Sequence, residues 1–319
     1  MDLKQLRALV GVAENGSFSA AADALHTVQS NVSAHIARLE AELGVTLIDR
    51  HSGRLTEEGE LVAHRARRIQ QELDSVAIDL AALSGRVTGT ARIGMIGTTA
   101  RWLLPQLLQL GAKRHPFLRL EVMEGTSTAL DTPLLSGRLD IAVGTPSGIH
   151  SDIDFEPLFE EDLVAVVSSD DPLAAKDEVS LVELSQRPML LPLPGTAFRS
   201  EVDAAAEQAG VRLKVTAEID GTRLLASLTF DGHGPAILPA TAVAQYMRDT
   251  WRLIRIPELP RRTVGLARRT KTLLSVPGRA VVEMLYVLTR PGADLPTGLH
   301  SLGPAPKKRE EVPRTKRPA

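Results

Sequence analysis

The first 84 residues are dominated by apolar positions at helical spacing. Leu3, Leu6, Val10 and Ala13 give a first helix with one apolar face, closing near Asn15-Gly16. Ser17 or Ser19 caps a second, short helix carrying Ala20, Ala21, Ala22 and Leu25, whose alanines permit close approach of another helix. After a break at His26-Thr27, Thr27 is expected to cap a third helix. Its residues Val32, Ile36, Leu39 and Leu43 fall at i, i+4, i+7 and i+11 and predict one buried stripe. Gln29, Ser30, Ser33, Ala34, Ala37 and Arg38 are left on the outer face.

The pattern then changes twice. Gly44 to Arg50 reads as a turn and a short extended segment, His51 to Arg54 as a second turn, and Leu55-Thr56 as a returning strand, which together make a wing with Arg50 and Arg54 at its tip. Thr56 caps a helix with acidic residues in its first turn, as the macrodipole favours. Along that helix Val62, Ala66, Ile69, Leu73, Val76, Leu80 and Leu83 recur at alternating steps of four and three. This is a heptad seam, and it predicts pairing with a second chain. From Glu57 to Ser84 the helix would span about 42 Å, long enough to hold two helical hairpins a DNA turn or more apart.

A helix entering the major groove needs a small, polar first turn, because it must approach base edges closely. Gln29 suits bidentate pairing with adenine, and Ser30, Asn31 and Ser33 suit bases or phosphates. A solvated face on an ordinary helical hairpin would look the same. Charge argues against strong binding by one copy, since five basic residues (Lys4, Arg7, Arg38, Arg50, Arg54) face nine acidic ones over residues 1–60. Two heads joined through the seam would offset this by raising the effective concentration of the second.

Residues 1–84 resemble the winged helix-turn-helix and linker helix of the LysR-type transcriptional regulators. The resemblance is carried by Gly16-Ser17-Phe18-Ser19-Ala20-Ala21-Ala22, Leu25, Gln29-Ser30-Asn31-Val32-Ser33, Ile36, Leu39-Glu40, Glu42-Leu43-Gly44-Val45, Leu47, Arg50 and Leu55-Thr56-Glu57-Glu58-Gly59. It implies that the third helix reads a double-stranded operator and the wing touches the backbone, with roles for Gln29, Ser30, Asn31, Ser33, Arg38, Arg50 and Arg54. It also implies self-association as a homodimer or homotetramer and RNA polymerase as a further partner. Where the family commonly has Ser-Gln-Pro or Ser-Gln-Ser, this chain has Val28-Gln29-Ser30, one hydroxyl fewer near a phosphate.

Beyond a hinge-like Gly85 to Gly89, strands and helices alternate. Strands are expected at Ala91 to Ile96, Leu118 to Met123 and Leu139 to Val143, with helices at Leu103 to Arg114 and Ala129 to Ser136. A second unit runs from about Leu163 to Arg262, with a helix at Ala197 to Gln208, and the chain returns through Thr263 to Arg268. Two α/β units joined by two crossings enclose a cleft that can close by hinge motion. Gly97-Thr98-Thr99 and Glu124-Gly125-Thr126-Ser127 combine glycine with hydroxyls at helix starts, which suits a small anion or plain helix capping equally. Arg92-Ile93-Gly94, Leu104-Pro105, Gly137 to Asp140 and Gly232 to Pro239 resemble the family's effector-binding domain. By that resemblance Thr98, Thr99, Thr126 and Phe198 hold a small effector, an organic acid or amino acid, with Arg101 and Arg199 near enough in sequence to supply a countercharge. Asp231 and His233 stand where the family usually has small residues.

The expected architecture is therefore α+β and multidomain: an all-α winged helix-turn-helix, a long linker helix, then two α/β subdomains of periplasmic-binding-protein type. The boundaries are 1–58 for the DNA-binding domain, 59–88 for the dimerisation helix and hinge, and 89–302 for the effector-binding domain. Subdomain I takes about 89–162 and 263–302, and subdomain II about 163–262. The tail from 303 to 319, with six Lys/Arg against two Asp/Glu and four prolines, is expected to be disordered.

Composition removes most rival chemistries. The 319 residues have room for two or three domains. There is no cysteine, which excludes disulfides, thiolate metal sites and thiol redox sensing. No apolar run reaches the roughly 18 residues of a membrane span, and the N-terminus has no secretory apolar core, so no membrane association and a cytoplasmic location are expected. Walker, Gly-x-Ser-x-Gly and His-Glu-x-x-His motifs are missing and the histidines are scattered, so no catalytic residue, metal or cofactor is expected. Lone histidines such as His35 and His64 read as surface or satisfied residues. Two Trp and two Tyr are too few for stacking on single strands. A solute-binding protein is the main alternative, since residues 89–302 alone would look like a bilobed receptor; an enzyme is a weaker one.

Overall fold

The computed structural model describes residues 1–302 except His51, Ser84, Gly85, Ile149 and Lys271; between 71 and 83 it describes the side chains of Glu72, Leu73 and Val76 alone. The expected hinge glycine Gly85, the side chains of Leu80 and Leu83, and the basic tail lie outside the described residues.

Three helices form the head: α1 (Leu3–Asn15), α2 (Phe18–Ala24) and α3 (Gln29–Leu43). Asp2 and Gln5 cap α1 reciprocally, and Gly16 ends it with φ +71°, a left-handed turn that glycine adopts without strain. Ser17 caps α2. At α3 the N-cap is Val28, whose side chain offers no acceptor; the Thr27 hydroxyl instead accepts from Asn31 Nδ2 at 3.1 Å. Leu43, expected in the buried stripe, is 39% exposed, one turn beyond the fully buried Leu39. Leu6, Leu9, Val10, Ala21, Val32, Ile36 and Leu39 pack together with Leu47 and Ile48 from the wing.

The wing is minimal, a single antiparallel bridge between Ile48 and Leu55. Thr56 then caps α4 (Glu57–Leu83) by accepting from Gly59 N at 2.9 Å. This helix has 27 residues and is about 40 Å long. Its first turns belong to the head. Ala63 and Ala66 are fully buried in the head core, and Val62 packs against it. Val62 and Ala66, expected in an intermolecular seam, pack instead on the core of the head. Ile69, Leu73 and Val76 remain 39, 43 and 57% exposed.

The rest of the chain builds two lobes. In order come β1 (Thr88–Met95), α5 (Gly97–Arg114), β2 (Phe117–Glu124), α6 (Ser127–Leu135), β3 (Ile141–Gly144), β4 (Ile153–Glu161), β5 (Leu163–Ser168), α7 (Leu181–Leu184), β6 (Pro188–Pro192), α8 (Ala197–Gln208), β7 (Lys214–Ile219), α9 (Thr222–Phe230), β8 (Ala236–Pro239), β9 (Trp251–Arg255), β10 (Arg262–Arg269), α10 (Val276–Thr289) and β11 (Leu299–Ser301). Lobe I is a six-stranded sheet, β11-β4-β10-β3-β1-β2; lobe II is a five-stranded sheet, β7-β6-β8-β5-β9. Strand pleat sorts the cores. Ile141 and Val143 face α5 and α10, whereas Ala142 between them faces Leu130 and Leu134 of α6. In lobe II, Leu163, Ala165 and Val167 lie over α7 and α8, whereas Val164 and Val166 lie over α9.

Two crossings connect the lobes, at Asp162 between β4 and β5 and at Arg261 ahead of β10. Their strands are neighbours, with Arg262 directly opposite Glu161. The helix α5 begins at Gly97, six residues before the expected Leu103, so the glycine-hydroxyl segment is the first helical turn rather than a loop. Among the described residues no helix is long and apolar enough to cross a membrane.

Candidate functional site

On the head, α3 presents its first turn outward. Gln29, Ser30, Asn31 and Arg38 are exposed and Ser33 is half-buried. Three of these already have a local partner that a ligand must displace or share. Ser19 Oγ donates to Gln29 Oε1 at 3.2 Å, Asn31 donates to Thr27, and Arg38 Nε donates to Ala34 O at 3.2 Å. Glu40, which motif reading left without a role, joins helix to wing: its Oε1 accepts from Leu47 N at 2.8 Å and Ile48 N at 3.2 Å, and its Oε2 lies 3.5 Å from Arg50. Arg50 is thereby held beside α3, and Arg54 is exposed at the tip. Gly59 brings α4 onto the wing so closely that a Cβ there would collide with the Leu47 carbonyl. Acidic charge is partly neutralised, since Glu14 pairs with Arg67 and Glu42 with the N-terminal amine. His35 is half-buried and its Nδ1 has no hydrogen-bond partner among the described residues, so it is not the satisfied side chain expected. Burial and Arg65, Arg68 and Arg269 hold His64 below the usual histidine value.

The second site lies between the lobes, where β1 and β2 end. Thr98 is 4% exposed and its hydroxyl accepts from Arg262 at 3.2 Å. Arg262 is also ion-paired with Glu161, its Nε donating to Oε1 at 2.9 Å. Glu161 has no solvent exposure; its other oxygen accepts from Thr241 Oγ1 at 2.7 Å and Thr241 N at 3.2 Å. The carboxylate thus ties both crossing strands to the base of lobe II, and Arg262 extends the tie to the floor of the cleft. Glu201, on α8, is raised above the usual glutamate range by burial, with Arg262 opposing.

The other expected residues divide. Thr99 is fully buried and its hydroxyl has no hydrogen-bond partner among the described residues. Thr126 is the N-cap of α6, accepting from Ala129 N at 3.2 Å. Arg101 reaches across to lobe II, donating to the Tyr246 hydroxyl at 3.2 Å and lying 5.8 Å from the Phe230 ring centre. Arg199 does not join them. Phe198 packs on the lobe II core with Val202, and Arg199 is fixed by Asp203 at 2.8 Å, Glu218 at 2.9 Å and the Pro192 carbonyl at 2.8 Å. Two helical positions separate Arg199 from Glu201, about 200° around α8, so the residues cannot share a face. The sequence reading gave no charged role to Arg262, Glu161, Glu124 or Arg223. The last two form an ion pair across the cleft, from the end of β2 to the first turn of α9.

A winged head carrying an exposed polar helix, a 27-residue helix and two hinged α/β lobes together define a DNA-binding regulator with a ligand-binding half. Comparison with known families makes this specific. Residues 3–60 match the model described as bacterial regulatory helix-turn-helix protein, lysR family, and residues 84–287 match the LysR substrate binding domain. The chain belongs to the LysR family of transcriptional regulators. Among curated relatives it is 33% identical over 275 residues to a probable hydrogen peroxide-inducible genes activator of Streptomyces viridosporus, covering 84% of this chain and 88% of that one. Among solved structures, a full-length OxyR from Pseudomonas aeruginosa carrying a cysteine-to-aspartate substitution superimposes with a TM-score of 0.72 at 24% identity, over 95% of this chain and 99% of that one. Full-length CbnR complexed with its target DNA gives 0.63 at 25% identity, over 89% and 99%.

Proposed function

We propose that this regulator binds its operator as a dimer and that a small organic anion bound between the lobes resets the disposition of its two heads. Operator reading falls to Gln29, Ser30, Asn31, Ser33 and Arg38, with Arg50 and Arg54 on the backbone. Pairing falls to Ile69, Leu73 and Val76, exposed apolar residues at steps of four and three. Further assembly to a tetramer, contact with RNA polymerase, a cytoplasmic site of action and the lack of any catalytic step belong to the same reading, as do a head over 1–58, a linker over 59–88 and an effector-binding half over 89–302. Thr98, Thr99, Arg101 and Thr126 hold the effector, with Arg262 beneath them in place of Arg199.

One observation carries the proposal. Arg262 bonds a cleft hydroxyl and the fully buried hinge carboxylate at once, so a ligand that competes for Thr98 also perturbs the strands about which the lobes turn. The effector is a bound molecule and not an oxidant of thiols, because the chain has no cysteine, although the Streptomyces relative is named for peroxide induction. Footprinting on DNA upstream of the gene across a salt series tests the reading. A protected, partly palindromic site with half-sites a turn or more apart supports it. No protection at low salt, where phosphate attraction is strongest, would leave a solute-binding protein instead.

A further inference from the structure

We propose that Arg223 is the receptor for a carboxylate group of the effector, and that Glu124 occupies it as an internal substitute that the ligand must displace. This rests on the reading of the cleft as the effector site. Arg223 stands in the first turn of α9 in lobe II and Glu124 ends β2 in lobe I, so their ion pair fastens one lobe to the other at the mouth. The pair lies on Gly97, the first residue of α5. A Cβ at that position would collide with Glu124 Oε1 and stand 2.5 Å from Arg223 Cδ. The two charges therefore rest on bare backbone at the start of the turn that carries Thr98 and Thr99.

Among the described residues, neither of the cleft's other arginines is paired with an exposed carboxylate that an incoming acid could replace. Arg262 is held by Glu161 and Thr98 with 11% of its side chain exposed, and Arg101 rests on Phe230 and Tyr246. Arg223 has 62% of its side chain exposed and a partner that is itself 45% exposed. Such a pair is weak and exchangeable. A carboxylate arriving from solution takes the place of the Glu124 carboxylate with no change of charge on Arg223, and the freed Glu124 releases lobe I. The guanidinium is a planar fork that suits a bidentate carboxylate, which sets the ligand class as a small carboxylic acid with its acid group free. While Glu124 holds the site, the apparent dissociation constant is divided by the fraction of molecules in which Arg223 is free, which weakens binding roughly two- to fivefold for a pair this exposed.

The test is thermal unfolding of the full-length protein titrated with acetate against chloride at constant ionic strength. Binding to the folded form raises the midpoint. In Glu124→Gln the half-maximal rise should come at about two- to fivefold less acetate than in the parent. Gly97→Ala, which separates the pair by bulk while keeping both charges, should move the same way. Arg223→Gln should abolish the response and Arg223→Lys should weaken it, with far-UV circular dichroism confirming that each variant is folded. Glu121→Gln removes one negative charge elsewhere on β2 and should behave as the parent. The proposal is overturned if Arg223→Gln responds like the parent, if Glu124→Gln shows no gain, or if Glu121→Gln gains as much as Glu124→Gln. Since the midpoints are read without DNA, a failure to bind any operator would count against the regulator reading alone.

Discussion

Glu161→Gln should lower the stability of the bilobed half by about 3–5 kcal/mol, the cost of leaving a buried ion without its partner. Glu161 has no solvent exposure and Arg262 has 11% of its side chain exposed, so water can replace little of what is lost. Glutamine keeps the shape and one acceptor. Its amide hydrogens must then face either Arg262 or Thr241, where the hydroxyl can turn to accept but the backbone N–H, like Arg262, can only donate. At roughly 2–4 °C per kcal/mol for a domain of this size, the unfolding midpoint should fall by about 6–20 °C. Differential scanning calorimetry would measure it, alongside Arg262→Gln and the double variant. Because the singles each strand one charge and the double strands none, the double should cost less than the two singles summed. A loss under about 1 kcal/mol for Glu161→Gln, or simple additivity, would mean that the pair behaves as a surface salt bridge, and the hinge argument would fail.

Four further outcomes are expected. Gln29→Ala should cost about 1–3 kcal/mol on the operator and relax base preference at one position per half-site; quantitative footprinting on substituted sites that shows unchanged preference would remove Gln29 from base reading. Gly59→Ala should destabilise the head by about 1–3 kcal/mol, seen in guanidinium unfolding, since its methyl meets the Leu47 carbonyl; a neutral effect would mean that α4 and the wing part easily. Leu73→Asp should convert dimers to monomers in analytical ultracentrifugation, and an unaltered mass would place the pairing surface elsewhere. Arg187 holds the Asp171 carboxyl below the usual aspartate range through bonds of 2.7 and 2.5 Å. The stability this gives is complete above about pH 4 and fades as pH falls through the depressed value, so Arg187→Gln should destabilise at neutral pH and converge on the parent in acid. Persistence of the full difference at about pH 2 would refute the linkage.

Local signals made the head legible. Caps, turn glycines and the 3.6-residue period all act within a few residues, and Ser17, Thr56 and Gly16 do what their chemistry suggests. Periodicity says which face is apolar but not what covers it. Val62 and Ala66 keep the heptad spacing of Ile69, Leu73 and Val76, yet the core of the head claims them first. The cleft was legible only as hydroxyls next to glycines. Arg262 and Glu161 meet because β10 and β4 pair in one register, and Glu124 meets Arg223 because two lobes close on each other; residues about a hundred positions apart carry no local mark of such a meeting. Arg199 failed for the reverse reason. Nearness along a helix says nothing about which side of it a residue occupies, and the α8 stripe of Val202, Ala205 and Ala206 would have shown that side.

Gly59, Ala63 and Ala66 fuse the base of α4 to the head, so the reading helix and the arm that carries it form one stiff beam. Swivelling at the base would break buried contacts, and bending in mid-helix would break backbone hydrogen bonds. Over an arm of about 40 Å, a tilt of about 10° displaces the head by roughly 7 Å, close to two base-pair steps. A small ligand-driven rotation would thus be geared up into a change of the operator spacing that a pair of heads can span.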